Sequence, residues 1–215
     1  MDTIRVGILG SGDVGKALAR GFISLGHSVK IGSREPAKLS EWAAAAGDRA
    51  SAGTFEEAAK FGDVLVLATL GTGTLPALDL AGPDNAAGKV VIDATNPLAF
   101  EPGKLPGLYV GHTDSLGEQV QSKIPKARVV KAYNTVGNAL MVNPQLPGGR
   151  PDMFICGNDT EAKKLVSQIC EAFGWGVIDL GGIECSRYLE PMCLVWVLHG
   201  INSGSWTHAF KLLRK

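Results

Sequence analysis

The chain has 215 residues, 45% of them hydrophobic, and its 21 basic residues balance its 21 acidic ones. This length suits one α/β domain with a small appendage, and the balanced charge gives no electrostatic footprint for nucleic acid or a membrane surface. No apolar run reaches the roughly 18–20 residues of a membrane span, and the first residues carry no basic leader, so we expect a cytoplasmic protein without membrane or nucleic-acid partners. The four cysteines lack zinc-type spacing, and we expect no metal site.

A glycine-rich turn follows the first apolar run. Gly10, Gly12 and Gly15 have the spacing Gly-x-Gly-x-x-Gly, and a helical pattern follows directly. In this context the first glycine permits the tight turn, the second leaves room for a pyrophosphate, and the third lets the helix pack closely on the sheet. The free N–H groups and the positive end of that helix attract a diphosphate. We therefore predict a dinucleotide-binding site, the alternative being a glycine-rich surface turn.

The second predicted strand, Ser28–Gly32, ends in residues that favour a 2′-phosphate. An NAD-preferring site usually has an acidic residue there, which binds the ribose 2′-hydroxyl. In this chain Ser33 offers a hydroxyl, Arg34 a planar cation and Lys38 a second positive charge one helical turn later. Glu35 lies past the strand end, at the start of the next helix. Because Arg holds phosphate through charge-assisted hydrogen bonds, the pattern indicates NADP(H) rather than NAD. An ordinary solvated turn with a surface arginine is the alternative.

Short apolar strands alternate with helical patterns along the chain. This alternation predicts a Rossmann-type α/β fold, a doubly wound parallel sheet with a small C-terminal helical/βα appendage. A brief edge strand around Ser51 is also expected. The predicted strands are Ile4–Leu9, Ser28–Gly32, Val64–Ala68, Lys89–Asp93, Arg128–Ala132, Met153–Cys156 and Val177–Leu180. The predicted helices are Val14–Leu25, Pro36–Ala46, Thr54–Lys60, Thr74–Leu80, Ser115–Lys123 and Thr160–Phe173.

Two segments rich in proline and glycine interrupt this alternation. Leu98–Gly111 is predicted to be a lid or a plain crossover. Asn143–Pro151 marks a boundary between an NADP-binding domain, residues 1–150, and a C-terminal βαβ-helix portion, residues 151–215, that completes the acceptor cleft; one continuous domain is the alternative. From Cys185 to the end the pattern is helical, with breaks near Pro191 and Gly200–Gly204. It predicts one or two helices that close over the cleft or form a dimer contact.

Three loops follow strands of the predicted sheet and are rich in neutral polar side chains. They are Thr69–Thr74, Ala94–Pro97 and Tyr133–Asn138. Ligands of such sheets bind beyond the carboxyl ends of the strands, so we expect these loops to converge on the nicotinamide half of the cofactor. Neutral donors and acceptors suit a carboxamide ring and a neutral heteroaromatic partner. For each loop alone, turn chemistry explains the same residues.

Five sequence blocks together carry a resemblance to a known family. They are the glycine loop, Gly32-Ser33-Arg34 with Lys38, Asp93–Pro97, Lys131–Thr135 and the block Ser186-Arg187-x-x-Glu190-Pro191. With them the chain resembles the deazaflavin-dependent NADP reductases (the NADP oxidoreductase, coenzyme F420-dependent family) over essentially its whole length. It is similar as well to the cytosolic part of the transmembrane ferric reductases. It departs from the family pattern at Asn134, where archaeal members carry His, so the identity of the acceptor stays open.

The resemblance implies a set of site residues. It places the pyrophosphate at the glycine loop, the 2′-phosphate at Ser33, Arg34 and Lys38, and the nicotinamide and acceptor rings between the three polar loops. The expected cofactor-binding residues are Gly10, Ser11, Gly12, Asp13, Val14, Gly15, Ser33, Arg34, Lys38, Thr69, Leu70, Gly71, Asn96 and Asn134. The expected acceptor-cleft residues are Asn96, Asn134 and Thr135.

The activity that the resemblance implies is hydride transfer between NADP(H) and a small-molecule acceptor, coenzyme F420 (a deazaflavin) or a flavin. Such a site holds two rings face to face and needs no side chain as a chemical catalyst. Two alternatives are an NADP-dependent reductase of a small carbonyl or imine and a non-catalytic NADP(H) sensor. Trp196 and Trp206 either stack on the acceptor ring or lie in the core or a dimer interface. A homodimer is expected by analogy with related small reductases.

Overall fold

The seven strands predicted from apolar runs are all present, and their ends differ from the predicted ones by at most one residue. The computed structural model describes residues 3–214. The brief strand expected around Ser51 is β3. The strands are β1 (Arg5–Leu9), β2 (Ser28–Gly32), β3 (Ala50–Gly53), β4 (Val64–Leu67), β5 (Val90–Asp93), β6 (Leu98–Ala99), β7 (Gly107–Leu108), β8 (Arg128–Lys131), β9 (Asp152–Gly157) and β10 (Gly176–Asp179). The helices are α1 (Asp13–Ser24), α2 (Ser40–Ala46), α3 (Phe55–Phe61), α4 (Gly71–Ala81), α5 (Leu116–Lys123), α6 (Thr160–Ala172) and α7 (Ser186–Ser203).

Eight of these strands form one sheet in the order β10-β9-β8-β5-β4-β1-β2-β3. The side chains of β4 and β5 are all buried, as expected of Val, Leu and Ile in strands covered on both faces. Helices α1, α2 and α6 pack on one face, and α3, α4 and α5 pack on the other. The predicted doubly wound α/β fold is confirmed. The strand order reverses direction between β1 and β4, which is where such sheets bind ligands.

Strand β9 runs antiparallel to β8, whereas the sequence predicts a parallel sheet. Strand β10 is parallel to β9, so the last βαβ unit is reversed as a whole. The connection from β8 to β9 has the 3-10 turn Asn138–Leu140 in place of the crossover helix that a parallel neighbour needs. The carboxyl ends of β9 and β10 therefore lie at the opposite edge of the sheet from those of the other six strands.

Helix α7 is continuous through Pro191, whereas the sequence predicts a break there. A proline inside a helix costs about 3 kcal/mol, because one backbone hydrogen bond is lost and the ring crowds the preceding turn. Burial of one face of the helix offsets this cost. The buried apolar side chains of that face are Leu189, Cys193, Trp196 and Val197. The break predicted within Gly200–Gly204 lies at the last residue of that range. The helix ends at Ser203, and Gly204 has a left-handed φ of 65°.

Residues 205–214 form no helix, contrary to the helical pattern predicted to the chain end. They run back along the molecule instead. The ring of Trp206 packs where Gly200 has no side chain, and the carbonyl of Phe210 accepts a hydrogen bond of 2.9 Å from the backbone of Asp152. The segment that the sequence predicts to be a lid or a crossover contains the short hairpin of β6 and β7. No helix between residues 3 and 214 combines the length and the apolar character that crossing a bilayer requires.

Gly7 of β1 tests the close packing of α3 on the sheet. A Cβ at this position would overlap the backbone carbonyl of Ala58, which cannot move away without shifting the helix. We expect Gly7→Ala to lower the free energy of unfolding by about 1–3 kcal/mol, measured by urea denaturation. The matched control is Gly107→Ala in β7, where a Cβ meets open space. Equal stability of the two variants would contradict this packing.

Candidate functional site

The three glycines of the first loop differ in what requires them. A Cβ at Gly10, whose φ is 132°, would overlap the carbonyl of Ala68, and a Cβ at Gly15 would overlap the carbonyl of Gly10. Both are therefore needed by the fold itself. A Cβ at Gly12 has no atom within 4 Å, and its φ of −74° suits any residue. The protein's own packing places no demand on Gly12, so its missing side chain leaves space for a ligand.

Helix α1 begins beside this space with unpaired backbone donors. Gly12 is its N-cap and makes no side-chain capping bond. The first backbone bond of the helix joins the N–H of Lys16 to the carbonyl of Gly12 at 3.0 Å. The N–H groups before it point out of the helix end, where they and the helix dipole favour an anion. Asp13 puts one carboxylate in this first turn.

A cavity of about 1040 Å³ opens at this helix end. It extends from the glycine loop to the end of β2 on one side and to α4 on the other. It brings together ten of the residues predicted for the cofactor: Gly10, Ser11, Gly12, Asp13, Val14, Ser33, Arg34, Lys38, Thr69 and Leu70. The predicted residues Gly15, Gly71, Asn96, Asn134 and Thr135 do not line it. Lys16, Leu39, Phe55, Pro76 and Leu80 line it without having been predicted.

Two cations are predicted at the end of β2, Arg34 and Lys38, and they differ in their contacts. Arg34 is exposed and forms no ion pair with any residue in the described range 3–214. Lys38 pairs with Glu35 at 2.8 Å, and this pairing lowers the pKa of the Glu35 carboxyl. The Ser33 hydroxyl accepts the N–H of Glu35 at 3.1 Å, and Ser11 Oγ lies 3.4 Å from Ser33 Oγ. The glycine loop and the end of β2 are thus in contact.

The loops after β5 and β8 are joined by a pair of asparagines. Asn134 Nδ2 donates to Asn96 Oδ1 at 2.9 Å, and Asn96 Nδ2 donates to the Asn134 carbonyl at 2.8 Å. Asn134 Nδ2 also donates to the carbonyl of Leu189 in α7 at 2.9 Å. Asn134 follows Tyr133, whose φ of 62° is rare for a residue with a side chain. This backbone conformation turns the chain directly before Asn134. Asn134 therefore ties the two loops to α7, and the loops reach the cavity through Ala94 and Asn138.

A buried cluster of charges lies behind these loops. Lys131 Nζ is fully buried, 2.8 Å from Asp93 Oδ2 and 3.0 Å from Glu190 Oε1, and donates to the Thr95 carbonyl at 2.9 Å. Burial alone would lower the pKa of Lys131, but the two carboxylates outweigh it and raise that pKa. Burial raises the pKa of Glu190 despite the adjacent lysine. Three elements, β5, β8 and α7, meet at one cation.

Glu190 also binds the start of α5. Its carboxylate accepts the backbone N–H groups of Leu116 at 3.0 Å and Gly117 at 2.9 Å. Arg187, one turn before Glu190 in α7, pairs with Glu118 of α5. Arg187 and Glu190 lie in the sequence blocks that carry the family resemblance, but the sequence pattern predicts no role for them. The available signal is that Asp93 and Lys131 are charged residues directly after the buried apolar residues of β5 and β8, where charge is rare unless paired.

The two tryptophans pack against each other and against the C-terminal segment. The centroid of the Trp196 ring lies 5.3 Å from that of Trp206 and 4.8 Å from that of His208, on which it stacks. Its Nε1 donates to the His208 carbonyl at 2.9 Å. Neither tryptophan lines the cavity. Of the two placements that the sequence allows, Trp196 occupies a small apolar cluster with Cys193 and Val197.

Comparison with known proteins agrees with this architecture. Residues 5–97 match the family described as NADP oxidoreductase, coenzyme F420-dependent. The chain is 31% identical over 211 residues to the F420-dependent NADP reductase of Methanocaldococcus jannaschii, covering 93% of this chain and 92% of that one. A crystal structure from Arthrobacter sp. FB24, of a protein assigned as an F420-dependent NADP reductase, has a TM-score of 0.93 and 37% identity over 98% of this chain and 100% of that chain.

A second group of relatives is longer. The chain is 33% identical over 191 residues to the metalloreductase STEAP3 of Rattus norvegicus, which covers 88% of this chain and 36% of that protein. The chain thus spans about a third of the length of this relative.

The fold and the cleft define a dinucleotide-binding protein of the Rossmann type. The chain belongs to the NADP oxidoreductase, coenzyme F420-dependent family, since it matches a member at 31% identity over 92% of that member's length. The resemblance inferred from the sequence blocks is confirmed. So is the coarser assignment, an oxidoreductase family that uses NADP.

Replacing Glu190 by glutamine tests the buried cluster. Every group around this carboxylate donates, namely Lys131 Nζ and two backbone N–H groups, so the amide NH₂ of a glutamine must face a donor. We expect Glu190→Gln to destabilise the fold by about 1–3 kcal/mol, measured by chemical denaturation. The control is Glu171→Gln on the exposed side of α6, with little expected change. A Glu190→Gln variant as stable as that control would show that the cluster does not hold these elements together.

Proposed function

We propose that the chain catalyses hydride transfer between NADP(H) and the ring of a deazaflavin, coenzyme F420, or of a flavin. The observation that carries this proposal is that one cavity joins the uncapped start of α1 to Arg34 at the end of β2. The first feature suits a diphosphate and the second suits a 2′-phosphate, and NADP(H) carries both on one molecule. Membership of the family supports the acceptor class.

The residues that would hold NADP(H) follow from the positions around the cavity. The pyrophosphate would lie against the α1 start, over Gly12, with Gly10 and Ser11 to one side and Asp13, Val14 and Gly15 in the first turn. The adenosine 2′-phosphate would contact Ser33 and Arg34, with Lys38 nearby. The nicotinamide would lie where Thr69 and Leu70 line the cavity. Gly71 at the start of α4 and the loops of Asn96, Asn134 and Thr135 would stand beside it. A Cβ at Gly71 would overlap the Asn96 carbonyl, which supports the close approach of these loops.

The reaction moves two electrons and one hydrogen nucleus together. Bound NADPH would supply a hydride from C4 of its nicotinamide and leave as NADP⁺, and an acceptor ring would take up that hydride together with one proton from water. The protein's part is to hold the two rings in contact and to exclude water between them. Polar groups of the cavity near the expected nicotinamide end, Thr69, Thr72 and Asn138, are uncharged, which suits two neutral rings. We assign no side chain as an acid or a base.

An acceptor screen tests this proposal. The purified protein is mixed with NADPH and, in separate assays, with oxidised F420, flavin mononucleotide, a quinone and a cyclic imine, and NADPH oxidation is followed by its absorbance. We expect turnover with F420 or the flavin. Turnover with the imine alone would favour the carbonyl or imine alternative. Tight NADPH binding without turnover on any acceptor would favour a non-catalytic sensor. Either result contradicts the proposal.

Arg34→Ala tests the 2′-phosphate contact. Loss of one charged hydrogen-bonding partner costs on the order of 1.5–3 kcal/mol, which is roughly 10- to 150-fold in affinity. We expect that loss for NADPH and almost none for NADH, both measured by calorimetric titration. The control is Arg49→Ala, since the Arg49 guanidinium bonds the Gly26 carbonyl at the other end of β2. Equal weakening of NADPH and NADH by Arg34→Ala would refute the assignment.

Two further expectations stay predictions. One is the homodimer, for which exposed apolar side chains in and after α7 offer a contact: Tyr188, Val195, Ile201, Trp206 and Leu213. The other is the division into residues 1–150 and 151–215. Strand β9 joins the second portion to the sheet through β8, so both portions share one sheet.

A further inference from the structure

The buried cluster of Lys131, Asp93 and Glu190 carries one more negative charge than positive. Lys131 Nζ has three N–H groups and faces three acceptors, namely the two carboxylates and the Thr95 carbonyl. The second oxygen of Asp93 accepts the N–H and the hydroxyl of Thr95, at 2.9 and 2.6 Å. A carboxylic acid would need an acceptor for its own proton, whereas the described contacts of both groups are donors. The hydrogen bonds therefore fit one ammonium and two carboxylates.

This excess negative charge is shielded from water. The side chains of Asp93 and Lys131 are fully buried, and that of Glu190 is 1% exposed. Burial raises the pKa of Glu190, as expected for a carboxylate that has lost its water. Two backbone N–H groups at the start of α5 offset part of the Glu190 charge, but a peptide dipole carries no net charge. Within residues 3–214 no other cation pairs with Asp93 or Glu190. A positive charge on a nearby ligand would therefore be favoured.

The cluster lies directly behind the cavity wall. Asp93 is the last residue of β5, and the next residue, Ala94, lines the cavity. In the sheet Asp93 is paired with Leu67 of β4, and the Ala94 N–H donates to the Leu67 carbonyl at 3.1 Å. Neighbouring strands lie about 4.8 Å apart, so the Cα atoms of Asp93 and Thr69 are within about 10 Å of each other. Thr69 lines the cavity at the end where the nicotinamide is proposed to lie.

The nicotinamide ring is the part of the cofactor whose charge changes in the reaction. The ring of NADP⁺ carries one positive charge and that of NADPH carries none, whereas the phosphates and sugars of the two molecules are the same. A fixed negative charge therefore attracts only the oxidised ring. Two unit charges roughly 10 Å apart, at an effective dielectric constant of about 20, change a binding equilibrium on the order of tenfold.

We propose that the net negative charge of this cluster favours the binding of NADP⁺ over that of NADPH, and thereby makes bound NADPH a stronger hydride donor. The three side chains need not touch the ring, because the field of a buried charge extends beyond its contacts. The proposal rests on the proposed function for the identity of the cofactor and for the end of the cavity that holds the ring. It concerns the two redox forms of the cofactor, so it does not require that any acceptor be reduced.

The experiment is calorimetric titration of the unmodified chain, Glu190→Gln and Asp93→Asn with NADP⁺ and with NADPH. Each substitution removes one negative charge and nearly keeps the shape of the side chain. The ratio of the two dissociation constants cancels any effect on the shared phosphates and sugars. We expect each variant to weaken NADP⁺ relative to NADPH on the order of tenfold. That change raises the reduction potential of the bound couple by about 30 mV.

Two controls separate the effect of charge from damage to the fold. Val120→Ala removes buried methyl groups from α5, one turn after the helix start that Glu190 binds, and leaves every charge in place. Glu171→Gln removes a charge from the exposed side of α6. We expect neither control to change the ratio. A ratio that stays unchanged in both Glu190→Gln and Asp93→Asn, or that Val120→Ala shifts equally, would overturn the proposal.

The outcomes distinguish this proposal from the proposed function. An unmodified chain that binds neither NADP⁺ nor NADPH overturns both. A chain that reduces F420, while both cluster variants keep its ratio, overturns only the role of the cluster. A chain whose ratio shifts as expected but that reduces no acceptor supports the role of the cluster and contradicts hydride transfer. Thermal melting shows that each variant is folded before titration, and if one cluster variant does not fold, the other decides the test.

Discussion

The buried cluster of Lys131, Asp93 and Glu190 is the interaction on which the shape of the cleft depends. One fully buried cation holds the ends of β5 and β8 and the second turn of α7, while Glu190 binds the start of α5. Removing one partner from such a cluster leaves an uncompensated charge in the interior, which is strongly unfavourable. The loops that begin at Asp93 and Lys131 carry Asn96 and Asn134, so the cluster fixes where those loops start. The asparagine pair then fixes them to each other and to α7.

The glycine loop separates what the fold requires from what a ligand requires. Gly10 and Gly15 have backbone carbonyls where a Cβ would stand, so a strand, a turn and a helix could not pack with larger residues there. Gly12 has neither such a neighbour nor an unusual φ, and it faces the cavity beside the uncapped helix start. The fold does not require glycine at this position. An anion that approaches the backbone here would require it, because a side chain would occupy the anion's place.

Much of this was accessible from the sequence because it depends on local pattern. Apolar runs gave the strands of the sheet, and the spacing of Gly10, Gly12 and Gly15 gave the turn and the helix after it. The reversal of β9 was missed, since strand direction depends on whether a connection contains a crossover helix, and the alternation of elements suggested one. The pairing of Glu190 with Lys131 joins distant parts of the chain, which no periodicity reports. Lys38 pairs with Glu35 three residues before it at 2.8 Å, and its role at the 2′-phosphate stays a prediction.

Direct transfer of hydride is the central claim, and it is tested most directly by following an isotope. NADPH deuterated at both C4 positions is mixed with the protein and oxidised F420, and the reduced deazaflavin is weighed by mass spectrometry. Hydrogen delivered to a ring carbon does not exchange readily with water, so the account predicts one deuterium in each reduced acceptor. Reduced F420 without deuterium, or reduction of neither F420 nor flavin mononucleotide, would contradict it.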